Sequence, residues 1–142
     1  MTILRYEPWS LVNRLQRQLD VAFAADAADS AGAWWIPQVD VYEEPGRFAV
    51  LVDVPGVEPK DIEITADKGV LTIRGERHPR AQEESSAHRR LERRSGKFLR
   101  RFALPESANL DSISARHTHG VLEVTIPKQA KPQPRRIEVA AA

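Results

Sequence analysis

The sequence predicts an all-β fold, a sandwich of short antiparallel strands set between a helical N-terminal arm and an extended C-terminal tail. Two observations lead there. From Gln38 to Ile126 apolar residues recur mostly every second position, with turn signals at short intervals and no helical period in the first half of that stretch. The helical period appears only near the start, where Leu11, Val12, Leu15, Leu19 and Phe23 recur at spacings of three to four, with Arg14, Arg17, Gln18 and Asp20 on the other side.

In chain order, Pro8 suits the start of the arm helix. Residues 24–33 are small and polar and read as a flexible link. Trp34-Trp35-Ile36-Pro37 closes the arm with an apolar cluster, which either caps the domain core or forms an exposed contact patch. Val39 and Val41 alternate with Asp40 and Tyr42, and Glu44-Pro45-Gly46 turns the chain. Phe48 to Val54 is apolar on both faces apart from Asp53, as expected of a strand inside a sandwich, and Pro55-Gly56 ends it. Ile62 and Ile64 alternate with Asp61, Glu63 and Thr65, Asp67-Lys68-Gly69 supplies a hairpin turn, and Val70 to Ile73 returns.

Arg74 to Gly96 breaks the rhythm and reads as a loop of some twenty residues, long for a compact domain. Within it, His88 to Arg93 suits one short, very polar strand whose single apolar residue is Leu91. Such a strand gains little from its own core and is satisfied best at the edge of another subunit. In Lys97 to Leu104, residues Phe98, Arg100, Phe102 and Leu104 share a face. Arg100 therefore projects among apolar neighbours, where a charge needs a carboxylate, Glu92 or Asp53 being candidates, and it reads as an ion pair at an interface. Arg101, on the opposite face, reads as solvated. Pro105 to Leu110 is a loop, Ser112 onward a strand, His119-Gly120 a turn, and Leu122, Val124 and Ile126 form a strand buried on one face. Beyond Pro127, residues 128–136 hold two prolines and four basic residues, too polar for a core. The tail then offers Ile137 and Val139 two apart, a plug for a groove elsewhere.

The totals bound the reading. A chain of 142 residues suits one domain with two arms. With no cysteine there is no disulfide framework, thiolate metal site or cysteine nucleophile. No long apolar run follows Met1, so neither a signal peptide nor a membrane span is expected, and the cytoplasm is the default compartment. The net charge of +1 hides an asymmetry: residues 38–73 carry eight acids against three bases, and residues 74–101 ten bases against four acids. Blocks of that size suggest pairing within a chain or between copies before an external polyanion.

Several separated motifs then agree in order and spacing with one family. Pro55-Gly56-Val57, Gly69-Val70-Leu71-Thr72-Ile73, Arg93-Arg94-Ser95-Gly96-Lys97-Phe98 with Arg100-Arg101-Phe102 and Leu104-Pro105, Ala115 followed by Gly120-Val121-Leu122, and the final Ile-x-Val make the chain resemble a bacterial-type small heat shock protein of the α-crystallin family. The resemblance implies an arm over residues 1–36, an α-crystallin domain of immunoglobulin-like shape over 37–127 and a tail over 128–142. It implies no enzymatic activity, no cofactor, and large homo-oligomers built from dimers. The exchanged strand would fall on about Ala87 to Arg93, placing Arg89, Leu91, Glu92 and Arg100 at the dimer interface. Ile137 and Val139 would dock between the strands containing Ile62 and Ile64 and Ile113 and Ala115 of a neighbouring dimer. The family holds unfolding proteins without nucleotide and passes them to ATP-driven chaperones. Client contacts would fall on Trp9, Leu11, Val12, Leu15, Leu19, Phe23, Trp34 and Trp35.

Three other readings were weighed. His117 and His119, two apart, offer two metal ligands but nothing completes a site at recognisable spacing. The ten bases of residues 74–101 suit phosphate contact, yet Phe98 is the one aromatic there and its strand face belongs to packing, so no nucleic-acid partner is expected. A co-chaperone or scaffold of the same sandwich type, docking folded partners, would need neither the final Ile-x-Val nor the long loop. Membrane contact is left open.

Overall fold

The computed structural model describes residues 14, 16–18, 20, 34–80, 89–130 and 136–141. Seven strands form two antiparallel sheets. β1 (Val39–Glu43), β2 (Arg47–Asp53), β7 (Val121–Pro127) and β6 (Ser114–Thr118) lie in that order in one sheet; β3 (Ile62–Asp67), β4 (Val70–Arg77) and β5 (Gly96–Ala103) form the other. The arm residues 14, 16–18 and 20 are helical.

The alternation seen in the sequence becomes the layer between the sheets. Val50, Val52, Val54, Leu71, Ile73, Phe98, Val124 and Ile126 are essentially without solvent contact, with Phe48, Phe102 and Leu122 closing the cluster. Burying a side chain of that size contributes about 1.5–3 kcal/mol. β2, apolar on both faces, lies between β1 and β7, which explains why Ala49 is buried as well. Two of the three hairpin turns use left-handed backbone at the expected places, Lys68 (φ 49°) with Gly69 (φ 76°) and His119 (φ 52°) with Gly120 (φ 79°).

The sequence reading ended β4 at Ile73, whereas the strand continues four residues further, to Arg77. Arg74 to Arg77 are polar or glycine and carry no hydrophobic signal, but each has a backbone partner on β5, from Arg74 with Leu99 to Arg77 with Gly96. Gly75 is required by the core. A Cβ there would stand 2.5 Å from the Asp61 carbonyl oxygen and 2.6 Å from the Phe98 ring, so the missing side chain is where Phe98 sits. At the other end, Asn109 N–H donates to Pro127 O, Lys128 N–H donates to Gly46 O, and the Lys128 ammonium reaches Glu43 at 2.9 Å across the Phe48 ring.

The two charge blocks barely meet within the chain. Among the described residues, Arg74 with Glu63 (Nε to Oε2, 2.7 Å) is the one arginine or lysine pair that joins them.

Candidate functional site

Four surfaces carry the residues singled out by the sequence: the outer side of β5, the outer side of β1 with the arginine-rich loop, the facing edges of β3 and β6, and the arm with the tail.

On β5, strand alternation puts Phe98, Arg100 and Phe102 on the core face. Arg100 is nevertheless polar at its tip and reaches out between the sheets. Its side chain is 14% exposed and its guanidinium stands 5.4 Å from the Phe102 ring centre. Nη1 donates to Pro37 O at 3.3 Å, Nη2 lies 3.8 Å from Asp20 Oδ1, and Nε is buried with no acceptor among the described residues. Neither candidate acid fills this role within the chain. Glu92 turns to Arg90 at 3.1 Å, and Asp53 stands exposed at the end of β2. The carboxylate that arrives comes from the arm, which periodicity alone did not reveal. A cation so incompletely satisfied is costly, and a closer acid would stabilise it.

β1 is an outer strand, and Val41 and Tyr42 remain 37% and 50% exposed on it. Of the loop residues expected at a dimer interface, Arg89, Leu91 and Glu92 are exposed, Leu91 at 76%. Within the single chain residues 89–93 have no regular pairing; the strand read over His88 to Arg93 is expected only at the edge of another subunit. Ala87 and His88 lie outside the described residues.

β3 and β6 are the other outer strands of their sheets. Ile62, Ile64 and Ile113 are half-buried against the core, while Ala115 is exposed. The tail pair is bare, Ile137 at 81% and Val139 at 94% exposure.

Of the client residues, Trp9, Leu11, Val12, Leu15, Leu19 and Phe23 lie outside the described residues. The two that are described belong to the domain. Trp35 is buried, its ring 5.1 Å from that of Phe98 and its indole N–H on Gly96 O at 2.9 Å; Trp34 is half-buried beside Lys97. Of the two alternatives for this cluster, Trp35 takes the first and caps the core.

Arg77 was missed by sequence reasoning. It is 8% exposed and meets no carboxylate among the described residues; three donors serve carbonyls instead, Nε to Arg94 O at 2.8 Å, Nη1 to Pro55 O at 3.0 Å and Nη2 to Arg94 O. The guanidinium lies 4.0 Å above the Trp35 ring, a cation–π contact. Burial, and the Arg93 guanidinium beside it, push its pKa below the usual arginine range. One side chain thus joins the end of the long loop, the Pro55-Gly56 turn and the arm. The signal was a cation two residues beyond Gly75 and four beyond Ile73, on the inward side of the strand.

His117 and His119 do not form a pair of ligands. His117 is half-buried on β6 with Nε2 enclosed and unpartnered among the described residues, whereas His119 is exposed in the turn.

Comparison with known proteins agrees with this architecture. A model of the Hsp20/alpha crystallin family matches residues 40–140. The chain belongs to that family. It is 38% identical over 104 residues to small heat shock protein C2 of Rickettsia felis, covering 73% of this chain and 68% of that one. With a 17.8 kDa class II heat shock protein of Zea mays it shares 42% over 107 residues, covering 72% and 65%. Among solved structures, a small heat-shock protein from Xylella fastidiosa, described as having a distinct high order structure, superposes with a TM-score of 0.68 at 50% identity, over 75% of this chain and 98% of that one. The hspA of Xanthomonas axonopodis does so at 0.61 and 49%, over 67% and 95%. This small heat shock protein is therefore an α-crystallin β-sandwich with a chaperone role in the stress response, in a family of chaperones rather than enzymes. No helix among its described residues is long and apolar enough to cross a membrane.

Proposed function

We propose that this protein is an ATP-independent holdase of the cytoplasm that binds unfolding proteins during heat or other stress and passes them to ATP-driven chaperones. Its domain over residues 37–127 is the rigid part, and the arm over 1–36 and the tail over 128–142 carry assembly and client contact. Dimers form when the segment around Leu91, flanked by Arg89 and Glu92, adds to the open side of a partner's β1 and Arg100 gains a closer acid. Dimers join when Ile137 and Val139 enter the space between Ile62 and Ile64 of β3 on one side and Ile113, just before β6, and Ala115 of β6 on the other. Each tail contact is small and multiplied by symmetry, so the assembly loosens on heating. Arms then offer Trp9, Leu11, Val12, Leu15, Leu19 and Phe23, with Trp34 and Trp35 where the arm lifts away, to apolar surface on clients.

The observation that carries this reading is the tail: two β-branched residues two apart, both almost fully exposed, in a chain that holds half-buried isoleucines on β3 (Ile62, Ile64) and immediately before β6 (Ile113). The test is light scattering of a heat-labile enzyme without nucleotide, alongside the chaperone's mass in solution. Suppression near stoichiometric ratios by a large assembly is expected. No suppression from a monomeric chain would refute the holdase reading.

A further inference from the structure

The outer edge of β5 is guarded in a way that breaks off half-way. In an antiparallel strand the N–H and C=O of one residue point to the same side, and successive residues alternate. Lys97 O accepts from Trp35 N–H at 3.0 Å, and Arg101 O accepts from the Gln16 side-chain amide, so Lys97, Leu99, Arg101 and Ala103 face outward, away from β4. The arm runs parallel to β5 at Trp34 and Lys97. Continued by one more step, that pairing would have residue 37 donate to Leu99 O. Residue 37 is proline, which has no N–H. Among the described residues nothing pairs with the outward backbone groups of Leu99 or Ala103.

What covers the rest of the edge is side chain standing in for main chain. The Gln16 amide donates to Arg101 O as a peptide N–H would, and also holds Asp20 Oδ1 at 3.0 Å. Asp20 in turn offers its carboxylate to Arg100 from 3.8 Å, too far for a hydrogen bond, and leaves Nε unserved. β5 itself carries Lys97, Arg100 and Arg101 and no acid. The edge therefore lacks what an extended chain with an acidic side chain supplies, ladder hydrogen bonds together with a close carboxylate.

We propose that the outer edge of β5 from Leu99 to Ala103 is a second client site, which adds as a strand an extended, carboxylate-bearing segment of an unfolding polypeptide, and that Gln16 and Asp20 hold the place until it arrives. The inference rests on the holdase reading. It assigns client binding to a sheet edge in addition to the apolar arm, in chains released from the dimer in which a partner's acid serves Arg100, and gives that edge a preference for acidic, unfolded segments.

The probe is a short dye-labelled peptide of alternating valine and threonine with one central glutamate, followed by fluorescence anisotropy on the full chain. Binding is expected to tighten about tenfold in the Gln16→Ala/Asp20→Asn double variant, where the place-holder is gone, a change of about 1.4 kcal/mol. It is expected to weaken at least tenfold in Leu99→Pro, which removes an outward donor together with the half-buried leucine side chain, a substitution edge strands tolerate, while the variant still unfolds cooperatively. Replacing the peptide's glutamate by glutamine should weaken it severalfold. Should Leu99→Pro fail to fold, a peptide N-methylated at alternate residues asks the same question from the other side, and equal binding of that peptide overturns the proposal. So does unchanged binding in a folded Leu99→Pro or in the double variant. If the double variant instead doubles its mass and the peptide does not compete, the edge belongs to a second copy and the proposal fails. Aggregation suppression by the unmodified chain without any peptide binding would overturn this inference and leave the holdase reading standing; loss of suppression would remove the holdase reading itself.

Discussion

Replacing Arg77 by methionine tests whether a buried cation without a carboxylate holds the loop and the arm to the sandwich. The variant keeps the apolar stem and deletes the guanidinium, which serves Arg94 O with two donors and Pro55 O with one and lies 4.0 Å over Trp35. A hydrogen bond from a charged donor is worth about 1.5–3 kcal/mol and the cation–π contact about 0.5–2 kcal/mol. Against them stands the cost of burying the guanidinium, which methionine does not incur. The exposed carbonyls at Pro55 and Arg94 recover part of the loss by hydration, so a net destabilisation of about 2–3 kcal/mol follows. Arg77→Lys should lose somewhat less, since an ammonium keeps the charge and still donates to one carbonyl, although it cannot fork between two as guanidinium does. The assay is urea unfolding followed by tryptophan fluorescence, at equal protein concentration because assembly shifts apparent stability by mass action. A midpoint for Arg77→Met within about 0.5 kcal/mol of the parent would mean that the carbonyls are indifferent to the cation and that packing alone seats Trp35.

Gly75→Ala should lower stability by about 1–3 kcal/mol, because its Cβ would stand 2.6 Å from the Phe98 ring and 2.5 Å from a backbone oxygen; a melting temperature unchanged by calorimetry would contradict the register of β4 on β5. Deleting residues 135–142, or replacing both Ile137 and Val139 by glycine, should reduce the assembly to dimers or other small species in a mass measurement, and an unchanged large mass would sink the plug reading. Leu91→Asp should leave the fold of the single chain intact, since Leu91 is 76% exposed in it, yet abolish the dimer; a dimer of normal affinity in sedimentation would show that the loop is not exchanged. Arg100→Ala should weaken the dimer and loosen the arm together, read as faster proteolysis within residues 1–36, whereas a purely solvated arginine would do neither.

What was legible in the sequence was whatever alternates. Leu122, Val124 and Ile126 stand at 3%, 0% and 0% exposure as their spacing predicts, and all three glycine-containing hairpin turns fall where the sequence places them. What was illegible was backbone pairing by residues with nothing apolar to bury. Arg74 to Arg77 extend β4 because β5 offers them partners, a fact carried by Gly96 to Leu99 and not by the four residues themselves. The polar segment from Arg89 to Arg93 shows the same limit: without regular pairing in the single chain, it becomes a strand only where the edge of another subunit receives it. Asp20 illustrates the remaining limit. On the arm helix it is one polar residue among several, and only the folded β5 makes it the acid that meets Arg100.

A sandwich of two open sheets has four outer strands, here β1, β6, β3 and β5, and each is a place where another chain can pair. Most small β-proteins blunt such edges. Under the reading proposed above, this chain supplies a segment of its own for each: a loop with one leucine for β1, a tail with two β-branched residues for the space between β3 and β6, and an arm for β5. The segments would differ in how well they satisfy the edge. The tail pair would bring apolar area and the loop ladder bonds, whereas among the described residues the arm brings one backbone bond at Trp35 and then proline. The least satisfied edge is thus the one closest to the arm, and an edge left half-paired beside an under-served arginine is where an unfolding chain has most to offer.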